Sequence, residues 1–237
     1  MLKGFVDYRV DATVKFGGSL LADEQACRNT VRALQSAAQQ GKRLLVIPGG
    51  GPTDNTIEEL DARTPFVPDT HHRACARAQD QTGLMISDPC FSDGLRAVET
   101  LEEMRHTLEE GLVPVLLPSR LIFALDPFER TWEITSDAMA VWFAWLVRCN
   151  LTLILTNVDG VYRDGKIGSE THLLHEISAS ELAQMGHTAV DACTPAFLVE
   201  NCLDCWILNG KYPDRITQLL VDEIKPVGTF VKGGQNG

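Results

Sequence analysis

The chain predicts an α/β protein built on a mainly parallel sheet with helices on both faces. Strand-like and helix-like segments alternate along nearly the whole sequence, which is the pattern of a parallel sheet. Its strand-like segments include continuous apolar runs, as strands buried on both faces require. Glycine loops follow the runs directly, at the carboxyl ends where such sheets hold their ligands.

The elements follow in order. DATVKF reads as a short strand, and LADEQACRNTVRALQSAAQQG has helical apolar spacing that ends in a C-cap glycine, Gly41. RLLVIP is a buried strand, followed by GGGPTDN and a polar helix. HHRACARAQDQTGLMIS and SDGLRAVETLEEMRHTLEEG each read as one helix, and VPVLLPS as a further buried strand. SDAMAVWFAWLVRCN reads as an apolar helix, then LTLILT as a strand, NVDG as a turn and CWILNG as a strand. A last helix starts near Pro213, and the tail KGGQNG is expected to fray. DPFERTW, rich in turn residues, separates two halves of one domain.

Bulk properties bound the function. With 237 residues, 44% hydrophobic and 22% charged, the chain has the make-up of a soluble globular domain with a substantial core. A formal net charge of −11 argues against nucleic acid and anionic membranes as partners, since both reward a basic surface. It leaves room for a small anion held by local cations and backbone amides. No apolar run reaches the length of a membrane span, and MLKGFVDYRVDATVKF lacks signal-peptide organisation, so a cytoplasmic protein is expected. The seven cysteines are an odd, scattered set that reads as reduced thiols, and the Cys202–Cys205 pair reads as packing rather than metal or redox work.

Four stretches carry chemistry. In VKFGGSL, Gly17 and Gly18 let the backbone approach a ligand, Ser19 can cap the following helix, and Lys15 adds a charge at the strand end. A plain strand-to-helix turn explains this stretch equally well. It is not a Walker A loop, whose lysine follows its glycines. Gly49, Gly50 and Gly51 come directly after a buried strand, more glycine than an ordinary turn needs. Thr135, Ser136 and Asp137 open a helix, where a hydroxyl caps and Asp137 can hold Lys15 by a salt bridge. LTNVDGVY sets Asn157, Asp159 and Gly160 in a turn that, alone, is a hairpin signal.

Together and in this order, K-x-G-G-S, P-G-G-G, T-S-D and T-N-V-D-G-V-Y resemble the signatures of the amino acid kinase family, from Lys15 to the closing VGTF. The resemblance implies a three-layer αβα sandwich and transfer of the γ-phosphoryl of Mg-ATP to a carboxylate, carbamate or phosphate. It implies one domain over residues 1–237, with an acceptor half over about 1–125 and a nucleotide half over about 126–237. Lys15, with Gly17 and Gly18, would serve the transferred phosphoryl, and Asp137 would orient Lys15. Gly49, Gly50, Gly51 and Ser136 would hold the acceptor. Ser19, Thr156, Asn157, Asp159, Gly160 and Tyr162 would serve the nucleotide. ATP and Mg²⁺, carried on the ATP phosphates with no metal ligands from the protein, are the implied cofactors. A homo-oligomer is also implied, and AVWFAWLV offers apolar residues for a subunit contact.

DTHHRACARAQDQTG, LLPSRLIFALDPFERTWEITSDAMA and VDACTPAFLVENCLDCWILNGKYPDRI look like the members that phosphorylate [5-(aminomethyl)furan-3-yl]methyl phosphate in methanofuran biosynthesis. On that likeness one of His71 and His72 would donate to the acceptor phosphate, and Asp69 and Asp80 are candidates for its ammonium. Capping or surface roles are the alternatives for all four. The four tryptophans read as core or subunit contacts rather than a stacking platform. Kinases of another small anion, and a non-catalytic nucleotide-binding member, are the rival functions. Many family members carry a second lysine after the nucleotide turn, whereas GHTAVDACTPAFL has none, leaving Lys166 or Lys211 as substitutes.

Overall fold

The computed structural model describes residues 7–168, 170–186 and 188–234, so the first six residues of the N-terminal stretch and the last three of the tail lie outside it. β1 (Ala12–Phe16) runs into a 3-10 turn over Gly18–Ala22 and then α1 (Glu24–Gln39). Asp23, not Ser19, caps α1: its carboxylate accepts the Ala26 amide at 3.0 Å, while Ser19 sits inside the preceding turn. Gly41, at φ +89°, closes α1 as expected, and the Lys42 amide returns to Ala37 O at 3.1 Å.

β2 (Leu44–Pro48) leads into α2 (Gly51–Arg63), a polar helix that buries no residue, and then α3 (Pro68–Ile86). The next stretch is not one helix but two elements, β3 (Leu95–Val98) and α4 (Leu101–Glu109). The i, i+3 spacing of Leu95, Val98 and Leu101 imitates a helix. A reciprocal capping box between Thr100 and Glu103 nevertheless starts the helix only at Leu101. β4 (Val113–Leu116), α5 (Ser119–Leu125), α6 (Ser136–Leu146) and β5 (Leu151–Thr156) follow.

After β5 the chain forms no hairpin, because β5 is paired in parallel with a strand on each side. β6 (Glu176–Ser178), α7 (Ala179–Gln184) and α8 (Cys193–Asn201) come next, then β7 (Asp204–Asn209), α9 (Asp214–Leu220) and β8 (Thr229–Lys232). β8 holds the start of the tail: Lys232 pairs with Ser178, and Gly233 donates to Asp204 Oδ1 at 2.9 Å, so this part does not fray.

One sheet results, in the order β3-β4-β2-β1-β5-β7-β8-β6, parallel throughout except where β8 runs against β7. Side-chain alternation sorts the core into two layers. Val14, Phe16, Leu153, Leu155, Trp206 and Leu208 meet α1 and α9 on one face. Ile154, Cys205 and Ile207 meet α6, α7 and α8 on the other. Val141, Trp142, Phe143 and Ala144 of α6 are buried inside the protein, so the apolar surplus expected for a subunit contact reduces to Trp145, which is exposed. Cys205 is buried on β7, and no described cysteine is in a disulfide.

Thr229 fastens the chain after β5 to the sheet. Its hydroxyl accepts from the Val161 amide at 2.8 Å and donates to Leu174 O at 2.6 Å. A Thr229→Val substitution keeps the shape and leaves both backbone groups unpaired. It is expected to lower unfolding free energy by about 1–3 kcal/mol, read as a lower urea midpoint at unchanged slope.

Candidate active site

β1 lies where the chain reverses direction across the sheet, with β2 on one side and β5 on the other. The loops after these three strands therefore meet over one crevice, the usual ligand position of an open parallel sheet. A cavity of about 860 Å³ opens there, lined by Lys15, Gly18, Ser19, Gly49, Gly50, Gly51, Asp54, Ser136, Asn157 and Lys211 among others. A neighbouring cavity of about 760 Å³ is lined by Thr156, Asn157, Gly160, Tyr162, Ile167, Met185, Thr188 and Ala189 among others. Asn157 lines both, so the two cavities adjoin at this residue.

The glycines of the first two loops are required by each other as much as by any ligand. A methyl group at Gly18 would fall on the backbone of Gly51, and one at Gly17 on the carbonyl of Leu155. Gly51 also takes φ +63°, which a side chain disfavours. The Gly17 amide donates to Leu155 O at 3.0 Å and the Gly49 amide to Phe16 O at 2.8 Å, so neither faces a ligand. Donors left for an anion are those at the start of the 3-10 turn, Gly18 and Ser19, and those of the first turn of α2.

Between the loops stands an ion pair. Lys15 points off β1 to the face opposite Val14 and Phe16, and its Nζ lies 2.7 Å from Asp137 Oδ1. Only 12% of the Lys15 side chain and 10% of that of Asp137 reach solvent. Apart from the ammonium, Asp137 Oδ1 has no partner among the described residues. Thr135 caps α6 by accepting the Asp137 amide at 3.3 Å, and Ser136 beside it faces the cavity.

On the β5 side, Asp159 turns away from the cavity. Arg215 Nη1 donates to its Oδ1 at 2.6 Å and Asn209 Nδ2 at 3.1 Å, while Tyr162 donates to Oδ2 at 3.4 Å. Partial burial pushes this carboxyl up, but Arg215 and Asn209 outweigh it and hold it below the usual range. Gly160 takes φ +156°, and a methyl group there would strike the Thr229 hydroxyl. Thus Asp159 shapes the loop while Thr156, Asn157, Gly160 and Tyr162 line the second cavity.

A family model described as the amino acid kinase family matches residues 13–209. The chain belongs to that family. A [5-(aminomethyl)furan-3-yl]methyl phosphate kinase of Methanocaldococcus jannaschii is 28% identical over 208 residues, 87% of this chain and 91% of that protein. A uridylate kinase of Haloarcula marismortui is 26% identical over 226 residues, 88% of this chain and 93% of that one. The solved structure of uridylate kinase from Archaeoglobus fulgidus superposes with a TM-score of 0.73 at 17% identity, covering 94% of this chain and 100% of that one. The expected αβα fold is therefore shown, and the chain is an ATP-dependent kinase.

Not every predicted site residue of this kinase meets in the cavity. His71 and His72 are buried on α3, and neither lines it. Trp132 covers His71 with ring centroids 4.7 Å apart and donates to Asp61 Oδ2 at 2.9 Å. Burial, with Arg130 and His71 nearby, pushes His72 below the usual histidine range, which makes it a poor cation for phosphate. Asp69 is engaged by Arg73 and Arg130, and Asp80 by the amide and hydroxyl of Ser119, and neither lines the two cavities. Lys166 is exposed and lines neither cavity, whereas Lys211 lines the first and has no ion-pair partner among the described residues.

Sequence reasoning missed Asp191, 3% exposed, which accepts hydrogen bonds on both oxygens from the starts of α6 and α8. It also missed Asp54, which sits in the cavity wall with Oδ1 buried and without a hydrogen-bond partner among the described residues. The Asx signal D-A-C-T-P before α8 was readable for Asp191; nothing local marked Asp54. The backbone contact between the two glycine loops yields a test. Gly18→Ala is expected to force the loops apart and cut kcat about 100-fold, since small misplacements near the reacting atoms cost that much. Steady-state kinetics together with thermal unfolding of the variant check this.

Proposed function

We propose that the kinase transfers the γ-phosphoryl of Mg-ATP to the phosphate of a small monoester, [5-(aminomethyl)furan-3-yl]methyl phosphate, giving its diphosphate and ADP. The observation that carries the reading is the buried Lys15–Asp137 pair set between two glycine loops at the sheet switch point. The name of the Methanocaldococcus jannaschii relative supports the acceptor.

In this reading the acceptor lies against the first turn of α2 and Ser136, and the nucleotide runs from the second cavity past Asn157. An oxygen of the acceptor phosphate attacks the γ-phosphorus as the bond to the β,γ-bridging oxygen breaks. The acceptor is already an anion, so no general base is needed. Lys15 neutralises charge on the transferred oxygens, and the Gly18 and Ser19 amides do so from the other side; positioning and charge are what such a transfer requires. Mg²⁺ carried on the nucleotide phosphates would supply further charge neutralisation. Asp137 and Asp159 are already paired with Lys15 and Arg215. Lys211, in the same wall and without an ion-pair partner among the described residues, takes the part of the second phosphate cation that GHTAVDACTPAFL does not supply.

Asp54 supports an acceptor that carries an amine. Burial pushes its carboxyl up, with the Cys75 thiol and the Lys15 charge opposing. An ammonium close to this carboxylate would offset its desolvation. The amine of the furan phosphate provides one; a nucleoside monophosphate or an acyl amino acid does not.

Four measurements test the reading. Incubation with Mg-ATP and a panel of acceptors, followed by mass, is expected to yield the aminomethylfuran diphosphate; turnover confined to UMP or to a carboxylate would reject this acceptor. Lys15→Met is expected to lower kcat by about 10²–10³-fold, the loss typical of one charge-stabilising donor. Because it strands a buried carboxylate, the Lys15→Met/Asp137→Asn double variant serves as the folded control. Lys211→Ala should cost about 10–100-fold in kcat/KM for ATP, and Lys166→Ala nothing measurable. Asp54→Asn should raise KM for the amine-bearing acceptor and leave KM for its methyl analogue unchanged.

A further inference from the structure

We propose that Asp191 is a positioning residue that seats the Lys15–Asp137 pair by locking the starts of α6 and α8 together, so that the nucleotide wall and the phosphoryl-transfer lysine move as one. The inference rests on the phosphotransfer reading and deepens it.

The geometry is specific to a carboxylate. Oδ2 accepts from the Thr135 amide at 3.0 Å, the Thr135 hydroxyl at 2.7 Å and the Ala138 amide at 3.2 Å, all at the start of α6. Oδ1 accepts from the Cys193 amide at 3.0 Å, the Thr194 amide at 2.7 Å and the Thr194 hydroxyl at 2.8 Å, all at the start of α8. Each oxygen thus holds one helix, and the group has only acceptors to offer, which is what six donors need. The clamp takes the Thr135 and Ala138 amides, and the Thr135 hydroxyl takes that of Asp137. The start of α6 is therefore a fixed mount for Asp137 rather than an open anion site.

The link to the nucleotide is short. Thr188 and Ala189, three and two residues before Asp191, line the second cavity, and Thr188 Oγ1 is buried without a hydrogen-bond partner among the described residues. A ligand that orders this wall acts on Asp191 through the intervening Val190, which is anchored in the core at 2% exposure. From Asp191 the path runs through the first turn of α6 to Asp137 and across 2.7 Å to Lys15.

Asp191→Asn tests the clamp, since its amide group faces three donors on one helix and cannot accept from them. At a temperature well below its unfolding midpoint, kcat is expected to fall about 100-fold with both KM values near wild type, the split expected of lost orientation. A second readout does not depend on turnover: the rate at which an amine-selective acylating reagent modifies Lys15, mapped by peptide mass. That rate should rise several-fold in Asp191→Asn, toward the rate in Asp137→Asn. Thr194→Val, which removes one donor and keeps the carboxylate, should move both readouts the same way by less, and serves if Asp191→Asn does not fold. Wild-type Lys15 labelling in a folded Asp191→Asn overturns the proposal, whatever its activity. A wild-type chain that phosphorylates no acceptor, yet shows the labelling shift on substitution, rejects the phosphotransfer reading and keeps the clamp.

Discussion

Everything at the site is arranged around one ammonium and one carboxylate taken out of water together. Withdrawing either charge alone is costly, and the attraction between them repays the loss only in good geometry. The 2.7 Å contact between Lys15 and Asp137 supplies that geometry, but it joins a strand at the centre of the sheet to the first turn of a helix on its face. The position of α6 on the sheet is thereby tied to the chemistry. Elsewhere α6 is held by an apolar surface that is buried from Ala138 to Ala144, which is not directional. The hydrogen bonds of Asp191 and Thr135 at its start add the direction.

A second constraint comes from the backbone. Parallel strands bring the ends of β1, β2 and β5 level, so the loops leaving them crowd one another. Side chains at Gly17 and Gly18 would collide with neighbouring main chain, and Gly51 takes φ +63°, so glycine is the way the loops fit at all. The same crowding determines which amides stay available. Those of Gly17 and Gly49 continue the sheet ladders, and the next ones along each loop open into the cavity. A ligand cradle therefore follows from where the ladders stop.

The parts of this arrangement legible in the sequence were those encoded locally. Buried strands such as LLVIP and LTLILT are unbroken apolar runs, and the glycine loops and the Thr135 cap announce themselves within a few residues. Asp137 as the partner of Lys15 could be foreseen because both stood at element ends facing one crevice. What failed depended on tertiary placement. Leu95 and Val98 matched a helical period, and only the capping box at Thr100 showed that a strand came first. His71 and His72 sat on the expected helix, but both are buried there and His71 stacks against Trp132, which no spacing rule reports. β6 and β8 are short strands at the sheet edge whose pairing joins residues more than fifty positions apart.

An acidic protein that handles anions looks contradictory until its charges are placed. The formal −11 counts Asp137 and Asp159, yet each is matched by a cation within 3 Å, Lys15 and Arg215. Asp191 has no ion-pair partner among the described residues and instead collects six donors, which spreads its charge into two helix starts. Asp23 in the cavity wall is engaged as a cap, and Glu24 pairs with Arg28. With these acids occupied, the loop amides and Lys211 present positive potential to the cavity although the surface as a whole does not. Local compensation, not net charge, sets what the site can bind. Asp54 is the acid in this wall whose Oδ1 has no hydrogen-bond partner among the described residues, and its position beside the loop amides gives the site opposite charges at two places. A ligand that carries both a phosphate and an amine matches that pair of charges, and a simple anion matches only half of it.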